Sequence, residues 1–192
     1  MSKKNFEFLI YINYEFFWYI KMKYISLVIL ALCIIQMKSD KASQVIAFAK
    51  SKLGCGYVWS GEGQVLTQAN MKAFHSQYPD HVDTNVVKKW LGKEVYDCSG
   101  LVMKALQKVG ISIYHNCEIA WKSGILASKG TINNYPKGKV WVVYKINNGK
   151  MVHTGISLGN GKFIHAKGSK YGVVEESMPG SWTHWGMPRG LY

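Results

Sequence analysis

The chain has 192 residues, of which 48% are hydrophobic and 18% charged, and it carries a formal net charge of +13. That apolar share excludes a wholly disordered chain, and the length suits one domain of ordinary size with an appendage. The basic excess draws attention to polyanions such as nucleic acid, acidic lipid and bacterial cell wall, but the lysines are scattered and no basic nucleic-acid motif is present, so no nucleic-acid partner is expected.

Residues 1–41 read differently from the rest. From Met22 onward, "MKYISLVILALCIIQMKSDKAS" has a basic start (Lys23, with Lys21 just before the stretch), an apolar run from Ile25 to Ile35 and then polar residues. The run is too short to span a bilayer and suits the apolar region of a secretory signal. Residues 1–21 read as an upstream extension; Glu7, Asn13 and Glu15 interrupt it and argue against a second span. No small-x-small pair marks a cleavage site before Lys38, and Leu32 is too large for a lipoprotein signal at Cys33. The expectation is an extension and secretory signal over 1–41, with an uncleaved signal anchor as the alternative. The protein is then secreted, with no stable membrane association after signal removal. Residues 42–192 retain 18 basic and 8 acidic residues, a net charge of +10.

After residue 42 there are no repeats, low-complexity tracts or Pro-rich linkers, and one domain is expected over 42–192. Ala42 to Lys52 has helical periodicity, ended by Gly54-Cys55-Gly56. "YVWSGEG" follows as a short extended piece. Thr67 to Tyr78 and Thr84 to Leu91 are two further candidate helices. Leu101, Val102, Ala105, Leu106 and Val109 make one helical face, with Gly110 as the stop. Strand chemistry comes afterwards, in "VWVVYKI" (140–146), "HTGISL" (153–158), "KFIHA" (162–166) and "GVVEES" (172–177), with Gly159-Asn160-Gly161 as a hairpin turn. Helices followed by antiparallel strands predict an α+β fold.

Cys98 begins the helical run of 98–109. Asp97 before it is a helix cap, and free N–H groups and the helix dipole at that end should lower the thiol's pKa and hold an oxyanion. Gly100 lets a substrate backbone come close. A buried structural cysteine is the plain alternative. A thiol nucleophile needs a base. His75, His81, His115 and His184 read as surface residues, whereas His153 and His165 flank one turn. With a two-residue loop, Ile156 faces His165 and His153 points to the other side of the sheet. With a three-residue loop, Gly155 faces His165 and the two histidines become diagonal neighbours on one face. In that arrangement His153 can serve as base and His165 can orient it.

These stretches resemble the NlpC-type papain-like cysteine peptidases that cut bacterial peptidoglycan. "DCSGLV", "HTGISLGNGKFIHA" and "GVVEES" carry the likeness, with "AKSKLGCGYVWSGEG" upstream and "WGMPRGLY" at the end. The resemblance covers about Ala42 to the C-terminus. It implies a papain-like α+β fold with N-terminal helices packed on a central antiparallel sheet. It implies Cys98 as nucleophile, His153 as base, His165 as the polar third residue and Tyr57 near the oxyanion. It also implies that Tyr57, Asp97 and Ser99 hold the free amino end of a stem peptide. The implied reaction is hydrolysis of the γ-D-glutamyl–diamino acid amide in peptidoglycan or its muropeptides. No cofactor is expected to be needed, and the protein is expected to be a monomer. The chain departs from the family at Ser60, where a glycine is usual, in a long segment between Gly61 and Asp97, and at Lys139, where an acidic residue is common. No wall-binding domain accompanies the match, so the +10 surface is the expected source of wall adhesion.

Two readings from other classes stand beside it. One is a non-catalytic wall-binding module; the other is a thiol amidase or acyltransferase on a different acyl group. Without the signal, Cys55, Cys98 and Cys117 remain, which fits one reactive thiol plus either a Cys55–Cys117 bridge or two free buried thiols. Lacking CxxC and HExxH, the chain is not expected to bind zinc.

Overall fold

The computed structural model describes residues 3–178 and 180–192, with the side chains of residues 3–16 and 33–40 outside the description. It divides into two units, Met1–Asp40 and Lys41–Tyr192. The first unit lies in helix α1 (Lys3–Ser51), and its side chains from Phe17 to Leu32 are exposed. Among the described residues, no helix is long and apolar enough to cross a membrane. The side chains of 33–40, where signal cleavage is expected, lie outside the described residues.

The second unit begins with the last turns of α1, which bury Ala42, Val45 and Ala49. Gly54, at φ +80°, turns the chain into strand β1 (Gly56–Tyr57). Strands β2 (Glu62–Val65) and β3 (Glu94–Tyr96) join β1 in a small sheet of order β1-β3-β2. The residues between β2 and β3 form a compact insertion. Helix α2 (Gln68–Gln77) starts at Thr67, whose side chain and backbone exchange bonds with Asn70. Helix α3 (Thr84–Val87) starts at Asp83 and tightens into a 3₁₀ turn over Lys88–Trp90. The single helix expected over 84–91 is therefore split. Val87 and Trp90, three residues apart, both go inward, a spacing that the tighter helix aligns. Leu66, Met71, Val82, Val87 and Trp90 close over Val58 and Val95 as a second, small core.

Helix α4 (Cys98–Gln107) follows, then α5 (Cys117–Lys122) and strand β4 (Leu126–Thr131). The four anticipated strands appear as β5 (Trp141–Asn147), β6 (Lys150–Ser157), β7 (Lys162–Gly168) and β8 (Gly172–Ser177), with β9 (His184–Pro188) from the C-terminal stretch. They form an antiparallel six-stranded sheet of order β4-β9-β5-β6-β7-β8. Leu101, Val102, Ala105 and Leu106 of α4 share one core with Val143, Ile156 and Ile164 of the sheet. The fold is α+β, with helices against an antiparallel sheet.

The β6–β7 hairpin has the three-residue loop. Ile156 pairs with Ile164, Ser157 with Phe163, and the Leu158 N–H donates to Lys162 O at 2.8 Å. Gly159 and Gly161 adopt φ +78° and +83°, a region that glycine enters without strain. Gly155 then comes opposite His165, where an added Cβ would lie 2.9 Å from the His165 Cβ. We expect Gly155→Ala to lower stability by about 1–3 kcal/mol through this overpacking, measured by denaturant unfolding; a variant as stable as the parent contradicts this register.

Candidate active site

Asp97 caps α4 with φ −92° and ψ 178°, its Oδ1 accepting from the Gly100 N–H at 2.7 Å. Cys98 is thus the first helical residue, as its sequence neighbours demand. The backbone N–H groups of Ser99 and of Thr154 on β6 act on its thiol in the direction of a lower pKa. The expected fall in the thiol's pKa does not occur. Cys98 is only 7% exposed, and burial first, then the Asp97 carboxylate and Cys117, push its pKa up. Loss of solvent around a sulfur anion outweighs what two N–H groups return.

The histidines form the second part. The His153 Nε2 and His165 Nδ1 atoms are 2.8 Å apart. The rings share one face of the sheet, as the three-residue loop requires. His153 stacks on Trp182, with centroids 5.3 Å apart and planes 5° apart, and Trp182 meets His165 edge-on. The His165 Nε2 lies 2.8 Å from Glu176 Oε2 on β8, and Lys167 holds the other Glu176 oxygen at 2.7 Å. Burial, and then the neighbouring His165 and Lys145, lower the His153 pKa to about 4. The His165 pKa also falls, through burial, with Glu176 opposing. Both imidazoles are therefore neutral at neutral pH.

The histidines line a cavity of about 490 Å³ with Lys145, Phe163, Glu176 and Trp182. Its lining does not include Cys98. The Thr154 N–H, which acts to lower the Cys98 thiol's pKa, belongs to the residue after His153 on β6. The insertion lines a neighbouring groove of about 340 Å³ together with the β7–β8 turn, and Lys167 borders both spaces.

The remaining expected residues cluster around the α4 N-terminus. Tyr57 is buried, and burial, Cys98 and Asp97 raise its phenol's pKa. The Ser99 hydroxyl donates to Asp97 Oδ1 at 3.0 Å. Asp97 Oδ2 also accepts from the Ser60 N–H at 2.9 Å, and this residue has φ +66°. Cys55 and Cys117 are free thiols and not bridged, but both are half-buried rather than buried as the free-thiol alternative had them.

His115 departs from its surface reading. Its Nε2 lies 2.9 Å from both Asp97 oxygens and its Nδ1 2.8 Å from Glu62 Oε1. Hydrogen bonding to Asp97 leads the forces that raise its pKa. Ile111 and Ile113 are buried at 6% and 8% exposure, so the period-two pattern 111–113–115 was the available sequence signal. His75, by contrast, bonds the Val82 carbonyl inside the insertion, and His81 stacks on Trp59.

A family model described as NlpC/P60 family matches residues 56–187. No curated relative matches the chain by sequence. Among solved structures, the P60 domain of an antigen from M. avium subspecies paratuberculosis aligns with a TM-score of 0.55 at 19% identity, over 81% of this chain and 98% of that one. The peptidoglycan hydrolase RipB from Mycobacterium tuberculosis aligns with a TM-score of 0.55 at 22% identity, over 78% of this chain and 65% of its own. The NlpC/p60 domain of the peptidoglycan hydrolase SagA aligns with a TM-score of 0.51 at 20% identity, over 76% and 97%. These likenesses establish the shared fold.

Since the His115 pKa is raised on folding, its charge contributes stability in full below the unfolded value of about 6.5 and loses that contribution as pH rises through the folded value. The melting-temperature gap between the parent and His115→Ala should be wide at about pH 5 and narrow by about pH 9. A gap independent of pH contradicts the bridging imidazolium.

Proposed function

Because the chain belongs to the NlpC/P60 family, we propose that it is a secreted cysteine peptidase cleaving peptidoglycan stem peptides, with Cys98 as nucleophile, His153 as base and His165 as its orienting partner. The observation that carries the reading is the 2.8 Å contact between two neutral imidazoles, His153 on β6 and His165 on β7.

The Cys98 sulfur attacks the amide carbonyl while His153 takes its proton. The oxyanion draws on N–H groups at the start of α4 and on the Tyr57 hydroxyl. His153 returns the proton to the leaving amine, and water then clears the acyl-enzyme with His153 again as base. A buried neutral thiol fits proton transfer at the moment of attack better than a standing ion pair. The bond we assign, γ-D-glutamyl to a diamino acid, rests on the family resemblance. Asp97, Ser99 and Tyr57 are assigned to the stem peptide's amino end; the Asp97 oxygens are already engaged by His115, so an incoming ammonium must displace or share that imidazole. Export rests on the basic-then-apolar pattern of 21–35, and wall adhesion on the +10 charge of residues 42–192.

The burial of Cys98 favours one rival, a wall-binding module that does not turn over. Digestion of purified muropeptides, with products weighed by mass spectrometry, separates the two. We expect Cys98→Ala to lose about three orders of magnitude or more in turnover with its melting temperature kept. Sacculus binding without turnover by the parent supports the module, and undiminished hydrolysis by Cys98→Ala removes the assigned nucleophile. Sacculus binding should also weaken as salt rises through about 0.1–1 M, because exposed charges are screened; binding insensitive to salt excludes the basic surface as the adhesive.

A further inference from the structure

We propose that Glu176 is a positioning residue for this site: it fixes the proton of His165 on Nε2, and thereby makes Nδ1 of His153 the atom that takes the thiol proton. The proposal rests on the reading of His153 as base.

The argument is one of donors and acceptors. An ionised carboxylate only accepts hydrogen bonds. Glu176 is held ionised, its pKa lowered by Lys167 first and by His165 as well. Its Oε2, 2.8 Å from His165 Nε2, therefore requires a hydrogen on that nitrogen. A neutral imidazole carries only one N–H, so His165 Nδ1 is left as an acceptor. That nitrogen lies 2.8 Å from His153 Nε2, which must then donate. With its hydrogen on Nε2, neutral His153 keeps its lone pair on Nδ1. When His153 takes the thiol proton, its Nε2–H goes on donating to the same acceptor, and no proton in the chain has to move. The opposite polarity, with His165 Nδ1 donating, would leave His153 protonated on Nδ1 and without a lone pair there.

Strand geometry places Glu176 where this requires. His165 pairs with Val174 across β7 and β8, so Glu176 lies two residues along on the same face, at the diagonal position. Glu175 faces the other way and meets Lys162 at 2.8 Å. It thus supplies a control of equal charge on the same strand. The other charged groups acting on the histidine pair are Lys145 from β5, Lys167 from β7 and Asp97 at the α4 cap, and none of them bonds His165 Nε2.

The test uses the full chain with ¹⁵N-labelled histidine. In the parent at neutral pH, nitrogen shifts should report His165 protonated at Nε2 and His153 protonated at Nε2, each as a single tautomer. In Glu176→Ala, His165 should become a tautomer mixture, and kcat on muropeptides should fall about tenfold or more with KM little changed. Glu176→Asp should recover part of the loss, and Glu175→Ala should leave tautomers and kcat alone. Melting temperatures identify any variant that fails to fold, and the tautomers of the parent remain decisive in that case. A parent with His165 protonated on Nδ1, or a folded Glu176→Ala with parental tautomers and kcat, overturns the proposal. If His153→Ala instead keeps full turnover, it is the base assignment that fails, and the nitrogen shifts still judge Glu176 separately.

Discussion

The site depends on the register of one hairpin. Side chains alternate faces along a strand, so shortening the β6–β7 loop by one residue would send His153 to the opposite side of the sheet from His165. The three-residue turn 159–161, with positive φ at both glycines, fixes the pairing of Ile156 with Ile164. Gly155 then leaves room for the His165 side chain, and Trp182 covers both rings. The histidine cavity exists because of that alignment.

Charge around Cys98 and His153 keeps both groups uncharged at rest. Cys98 is buried beside Asp97, which opposes a thiolate, and His153 is buried beside a second imidazole and near Lys145, which oppose an imidazolium. Asp97, meanwhile, gathers the Gly100 and Ser60 N–H groups, the Ser99 hydroxyl and the His115 ring, so one carboxylate ties together the helix start, the loop after β1 and the segment before α5. The carboxylate expected to receive a substrate amine thus already has a basic partner within the chain.

Much of this was legible in the sequence, for identifiable reasons. The α4 face, the four strands β5 to β8 and the Gly-Asn-Gly turn follow from periodicity and turn chemistry, which are local. The small sheet β1-β3-β2 was missed because its strands are two to four residues long and its pairing spans the insertion. Strands β4 and β9 pair across more than fifty residues, which no local pattern reports. The thiol's pKa was misjudged because the helix start can be read from Asp97-Cys98-Ser99, whereas the burial of the sulfur cannot. His115 was missed because its partners, Asp97 and Glu62, are 18 and 53 residues away.

The central claim is that the Cys98 thiol hands its proton to His153. It is tested most directly by the rate at which iodoacetamide alkylates each cysteine of the folded chain at neutral pH, mapped by mass spectrometry. The account predicts that Cys98 is labelled in the parent protein, that this labelling collapses in His153→Ala, and that Cys55 and Cys117 react alike in both. Equal labelling of Cys98 with and without the His153 imidazole, in chains of the same fold, would contradict it.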